Sequence, residues 1–209
     1  MAKSNTRHDG RRQARRGTDG RQKLVRAQWL RDFLSEMLTV EIGGVQLYEK
    51  ALNELRHSEF EDKLTDFLHQ TEYHVELCTE MLAAAAGDVD YRSAGAEAAD
   101  HKARGLLSTA VPPELQDLNN IENLVLAETK DHWNWEMLSS VEKKIEDAEL
   151  RSMVGKAVRE VRKQEKAHLD WNERTLTTLA METAVSAGLP GLEETEGTEG
   201  QTSSTTEGL

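Results

Sequence analysis

Apolar residues recur every three or four positions through most of the chain, the period of a helix with one face turned inward. The first run, Leu30, Leu34, Met37, Val45, Tyr48, Leu52 and Leu55, predicts a helix over roughly 24–57. The second, Phe60, Leu64, Phe67, Cys78 and Met81, predicts one over roughly 59–86, with Ser58 as its N-cap and Gly87-Asp88 as its stop. A third opens at Pro112-Pro113 and carries Leu118, Ile121, Val125, Trp135, Leu138 and Ile145. The fourth covers roughly 147–187 on Val154, Val158, Val161, Thr175 and Leu179, and stops before Gly188 and Pro190. Residues 88–112 form a long connection with a short helix around 96–107. Two short hairpins joined by one long crossover predict an all-α four-helix bundle that is not of the plain up-down-up-down kind. At 1.5 Å per residue each helix reaches about 40 Å, enough to enclose an ample core.

Composition narrows the choice further. Only 3 of 209 residues are Pro and none precedes Pro112, which argues against a turn-rich β-sandwich. No apolar run approaches the length of a membrane span. Cys78 is alone, so an internal disulfide, a Cys-x-x-Cys zinc site and a rubredoxin-type iron centre are excluded, and a cytoplasmic protein is expected. The formal charge of −12 is unevenly spread. Residues 1–26 hold nine Lys or Arg against Asp9 and Asp19, residues 188–209 hold five Glu and no Lys or Arg, and the body between carries −14. The expected organisation is a basic disordered arm (1–23), the bundle (24–187) and an acidic disordered tail (188–209). The arm has no apolar segment behind its arginines and does not read as a secretory signal.

Each apolar stripe is interrupted near its middle by groups with metal-ligand chemistry. The interruptions are Glu41 in the first helix, Thr71 and His74 in the second, Glu128 with Asp131 or His132 nearby in the third, and Glu165 and His168 in the fourth. A carboxylate facing a bundle core is costly unless it is neutralised or paired, and no Lys or Arg falls on the stripes at that level. A divalent metal supplies the missing counter-charge, because Glu and His three residues apart project to one side of a helix. The pattern also repeats. Glu41 and Tyr48-Glu49 recur 87 residues later as Glu128 and Trp135-Glu136, and Gln70-Thr71 with His74 recurs 94 residues later as Gln164-Glu165 with His168. Two hairpins carrying one pattern predict packing about a pseudo-two-fold axis with the site on it.

These residues resemble the ferritin-like di-metal carboxylate superfamily, which includes ferritins, bacterioferritins, rubrerythrins and manganese catalases. Glu41 with Tyr48 seven residues on resembles the first ferritin helix. Glu165-Lys-Ala-His168-Leu-Asp-Trp171 is similar to the last metal-binding helix of bacterioferritin, and His74-Val75-Glu76 resembles the second helix of rubrerythrins and manganese catalases. Covering roughly 24–180, the resemblance implies a ferritin-like four-helix bundle holding two ions of iron or manganese. One Glu from each of two helices and Glu-x-x-His from each of the others would bind them. One position departs: Thr71 stands three before His74, where the family has Glu. Glu72 lies about 100° further round the helix and reaches the site only if the helix is overwound or carries a π-bulge. The expected metal set is therefore Glu41, His74, Glu128, Glu165 and His168, with Glu72 as a sixth. Without Glu72, three carboxylates still offset most of the charge of two divalent ions; a mononuclear or lost site is the other outcome. His132 is either a compensating ligand or a surface histidine. Gly43 and Gly44 serve either close helix packing or space beside the metals, Tyr48 and Trp135 either supply electrons or hydrogen bonds near the site or simply pack the core, and Cys78 reads as an inert buried thiol.

The resemblance implies an oxidoreductase acting on O2 or peroxide: a ferroxidase, or a peroxidase or catalase serving oxidative stress. The absence of a rubredoxin centre argues against a self-contained rubrerythrin. A different class is a binding protein, because the arm 1–26 resembles in composition the basic tails with which some ferritin-like proteins hold DNA non-specifically through its phosphates. A third is a metal-poor ferritin-like scaffold. A homo-oligomer with no membrane contact is the expected assembly.

Overall fold

The computed structural model describes residues 9–186, with side chains over 27–185. Residues 1–8 of the expected basic arm and the expected acidic tail (188–209) lie outside the described residues, whereas the first helix, expected from about 24, already begins at Asp9. The described chain is all-α, with no strand. Its helices are α1 (Asp9–Asn53), α2 (Glu61–Ala86), α3 (Ala94–Leu107), α4 (Gln116–Val141) and α5 (Ala148–Ser186). No helix among the described residues is long and apolar enough to cross a membrane.

α1 lies along α2, and α4 along α5; contacts of α1 with α4 and of α2 with α5 close the ring, most lightly at the α2–α5 seam. The connections of seven and six residues make each pair antiparallel. α3 is the middle of the crossover and lies along α1. The interior has two apolar layers. Leu34, Met37, Met81, Trp135, Val154 and Val161 build one. Tyr48, Leu64, Phe67, Ile121, Leu124 and Leu179 build the other. The polar interruptions of the stripes fall between them.

Local signals explain two of the element ends. α2 stops at Gly87, whose left-handed φ of 71° suits glycine, and whose N–H donates to the Ala83 carbonyl at 2.8 Å. Ser93 caps α3: its hydroxyl oxygen accepts from Ala96 N and donates to the Asp32 carbonyl of α1. Ser35 of α1 donates to the Tyr91 carbonyl and accepts from Ser93 N, so the crossover is laced to α1. Gly43 permits this approach, since a Cβ there would lie 2.9 Å from Ala103 Cβ on α3.

The expectations differ from the structure in three further places. Ser58 caps nothing with its side chain; it opens a short 3₁₀ turn (Ser58–Phe60) ahead of α2. The α1–α2 turn is instead gathered by Asp117 of α4, whose carboxylate accepts from Arg56 N, His57 N and His57 Nδ1. Ile145 does not belong to α4, which ends at Val141 and is followed by a 3₁₀ turn (Glu142–Lys144). Val45 is only half-buried while Leu47 faces the core, a phase difference of less than one turn.

Candidate metal centre

Five of the six expected ligands meet between the two apolar layers. Atoms of Glu41, His74 and Glu165 lie within 4.8 Å of one another, and so do atoms of Glu128, Glu165 and His168. Glu165 is common to both groups. All five side chains are buried. The sixth, Glu72, is not there: it is exposed, and α2 continues through it as regular α-helix without overwinding or a bulge. Thr71 occupies the inward position, and its hydroxyl donates to the Phe67 carbonyl one turn earlier. His132 is half-buried and belongs to neither group.

Four of the five ligands are pinned on one side and unpartnered on the other, and Glu165 is unpartnered on both oxygens. Trp135 Nε1 of α4 donates to Glu41 Oε1 of α1 at 2.7 Å. Tyr48 of α1 returns the contact, donating its hydroxyl to Glu128 Oε1 of α4 at 2.5 Å. Asn172 Nδ2 donates to the same tyrosine oxygen. Nε2 of His74 meets Gln164 Oε1 at 2.9 Å, and Nε2 of His168 meets Gln70 Oε1 at 3.1 Å. The remaining atoms, Glu41 Oε2, Glu128 Oε2, both Glu165 oxygens and Nδ1 of both histidines, have no aligned hydrogen-bond partner. They approach one another instead. His74 Nδ1 is 2.9 Å from Glu165 Oε1 and 3.6 Å from Glu41 Oε2; His168 Nδ1 is 3.5 Å from Glu128 Oε2 and 3.7 Å from Glu165 Oε1. Buried polar atoms are nearly always satisfied, so six orphans around one space call for a shared partner.

The electrostatics agree. Burial opposes the charged form of His74, but contacts with Glu165 and Glu41 outweigh it and raise its pKa to about 11. Burial, reinforced by Glu128, pushes the Glu165 carboxyl well above the usual range. Without metal the cluster therefore holds protons tightly, and His74 is its internal cation. Carboxylate oxygen and imidazole nitrogen are metal-ligating groups, and the two clusters, which have Glu165 in common, could hold a metal ion.

Several features were invisible or only glimpsed in the sequence. Asp131, one turn past Glu128, is buried, with one oxygen unpartnered; burial, then Glu165 and Glu41, drive its carboxyl well above the usual range. Its i+3 spacing from Glu128 was the available signal. The two glutamines were visible as a repeated pair, but nothing showed that each reaches the other helix. Gly43 and Gly44 serve packing, against Ala103 and Thr71, and also border a cavity of about 430 Å³ between α1, α3 and α4. Trp135 is a hydrogen-bond donor to Glu41 as well as a core residue. Burial pushes the Cys78 thiol well up, which keeps it neutral. Compared with protein-family models, curated proteins and solved structures, the chain matches none.

Proposed function

We propose that this chain is a ferritin-like four-helix bundle that binds two divalent ions, iron or manganese, and acts as an oxidoreductase on O2 or peroxide. The observation that carries the reading is the set of buried, unpartnered Glu and His atoms from four helices converging on one space. Glu41 and His74 would serve one ion, Glu128 and His168 the other, and Glu165 both. Bound iron or manganese would supply one-electron chemistry toward O2 or peroxide. The chain's own part is to hold the ligands in place through Trp135, Tyr48 and the two glutamines, and to keep the site dry between two apolar layers. The test is anaerobic titration of the metal-free chain with Fe²⁺, followed by O2 or peroxide. Two ions per chain and oxidant-dependent loss of Fe²⁺ are expected; a chain that takes up no ion overturns the reading. Metal content of protein from native cells separates iron from manganese.

One observation favours a second reading, a metal-poor scaffold: the imidazolium of His74 already neutralises part of the buried charge. The same titration decides between the two. Non-specific DNA contact through residues 1–26 rests on their charge alone. It should weaken steeply between about 50 and 200 mM salt and vanish when residues 1–23 are removed.

A further inference from the structure

Gln70 stands four residues before His74 on α2, and Gln164 four before His168 on α5. One helical turn apart, each glutamine is placed to touch the histidine of its own helix. Neither does. His74 of α2 bonds Gln164 of α5, and His168 of α5 bonds Gln70 of α2. The two bonds cross the α2–α5 seam in opposite directions, where the ring of helices is least packed. The imidazoles lie nearly parallel between them, with centroids 5.9 Å apart and planes inclined by 21°.

The chemistry of the crossed pair is directional. An amide oxygen only accepts, so the ring nitrogen facing it carries hydrogen and Nε2–H donates. A neutral imidazole has one hydrogen, which leaves the lone pair on Nδ1. Nδ1 is the nitrogen that faces Glu165 and Glu41 in one group, and Glu128 and Glu165 in the other. A carboxylate in place of either amide would orient the ring equally well, but would add negative charge beside three buried glutamates. The neutral amide orients without that cost.

We propose that Gln70 and Gln164 are positioning residues of the metal centre: a crossed pair of latches that holds both imidazoles with Nε2–H outward and Nδ1 toward the ions. This rests on the metal-binding reading above. Each latch serves one ion, Gln164 through His74 and Gln70 through His168. Loss of one therefore weakens one ion and spares the other.

The experiment uses the full chain. Q164M and Q70M keep side-chain length and remove the acceptor; Q164E restores an acceptor. Calorimetric titration with Mn²⁺ gives the affinities, and long-range ¹H–¹⁵N spectra of the Zn²⁺-loaded chain report which nitrogen of each histidine is bound. The wild type is expected to bind two ions with both histidines ligating through Nδ1. In Q164M one ion should weaken by about tenfold or more while the other is unchanged. The histidine that loses its Nε2–H signature should be His74 in Q164M and His168 in Q70M, and Q164E should regain it. Binding through Nε2, or methionine variants with both affinities unchanged, overturns the proposal while leaving the metal reading intact. So does a loss of affinity that Q164E fails to rescue, which marks a packing role. A wild type that binds neither Mn²⁺ nor Zn²⁺ overturns the metal reading itself and this proposal with it.

Discussion

Glu165→Gln should reverse its rank against the wild type when metal is added. The change keeps shape and removes the ionisable carboxyl common to both groups. Without metal, the Glu165 carboxyl is buried, both oxygens lack aligned hydrogen bonds, and Glu128 and Glu41 add repulsion that His74 relieves only in part. The neutral isostere relieves that repulsion, and His74 keeps Glu41 as a carboxylate partner at 3.6 Å. The metal-free variant should therefore melt no lower than the wild type. With metal the order inverts. An ion that binds only the folded state adds about 2.7 kcal/mol at 100 times Kd and about 4.1 at 1,000 times. At roughly 2–4 °C per kcal/mol for a chain of this size, the wild type should gain about 5–16 °C from one ion. On the proposed reading the variant has lost the carboxylate common to both groups and should gain little. The assay is thermal melting of both proteins with chelator, anaerobic Fe²⁺, Mn²⁺ and Zn²⁺. If no metal moves the wild type, or if the two chains gain equally, Glu165 is not a shared ligand and the reasoning fails.

The same electrostatics give an unusual pH dependence. His74 is raised from 6.5 to about 11 and Glu165 is raised from 4.5, so the folded metal-free chain holds more protons than the unfolded one. Its stability is thus fullest below the unfolded values and falls as pH rises, for His74 from about 6.5 up through about 11. Denaturant midpoints in chelator should drop between roughly pH 6 and 9.5, with a shallower slope in Glu165→Gln; equal slopes would count against the cluster as the source. Asp117→Ala removes the acceptor that gathers Arg56 and His57 into the α1–α2 turn. It should cost about 1–3 kcal/mol in urea unfolding while metal uptake persists. Gly43→Ala places a methyl 2.9 Å from Ala103 Cβ, which forces α3 outward and should cost about 1–3 kcal/mol. An unchanged midpoint would show that the crossover yields freely.

The depth of the site was legible because it depends only on period. Glu41, His74, Glu128, Glu165 and His168 each break an apolar stripe, and the face a residue shares with Leu34 or Val161 follows from helical spacing. Phase was less secure. Glu72 and Thr71 differ by one position, and the phase of α2 turns Thr71 inward while Glu72 meets water. Side-chain chemistry favoured the glutamate, but its helix neighbours decided. Contacts between hairpins were not legible at all. That Trp135 reaches Glu41, or Gln164 reaches His74, depends on how two helices distant in sequence are set side by side, which no periodicity encodes. Asp117 was read past for the same reason: its partners lie about sixty residues away across a turn.

The exchange of anchors between hairpins has a consequence for how this chain can change over time. α1 and α2 hold no complete half of the site, because Glu41 is held by Trp135 and His74 by Gln164, both from the other pair of helices. The reverse holds for Glu128, held by Tyr48, and His168, held by Gln70. The molecule behaves as two like hairpins sewn into one chain, each completing the other. In a true dimer of identical hairpins, a substitution strikes both halves at once. Once the halves are joined, one can lose a carboxylate while the other keeps or gains one. Thr71 opposite Glu165 and Gly44 opposite Asp131 are two such divergences on the 94- and 87-residue repeats, and they leave acidic groups concentrated on α4 and α5. A single chain can thus give two neighbouring Glu/His groups unequal surroundings, which a symmetric pair of subunits cannot.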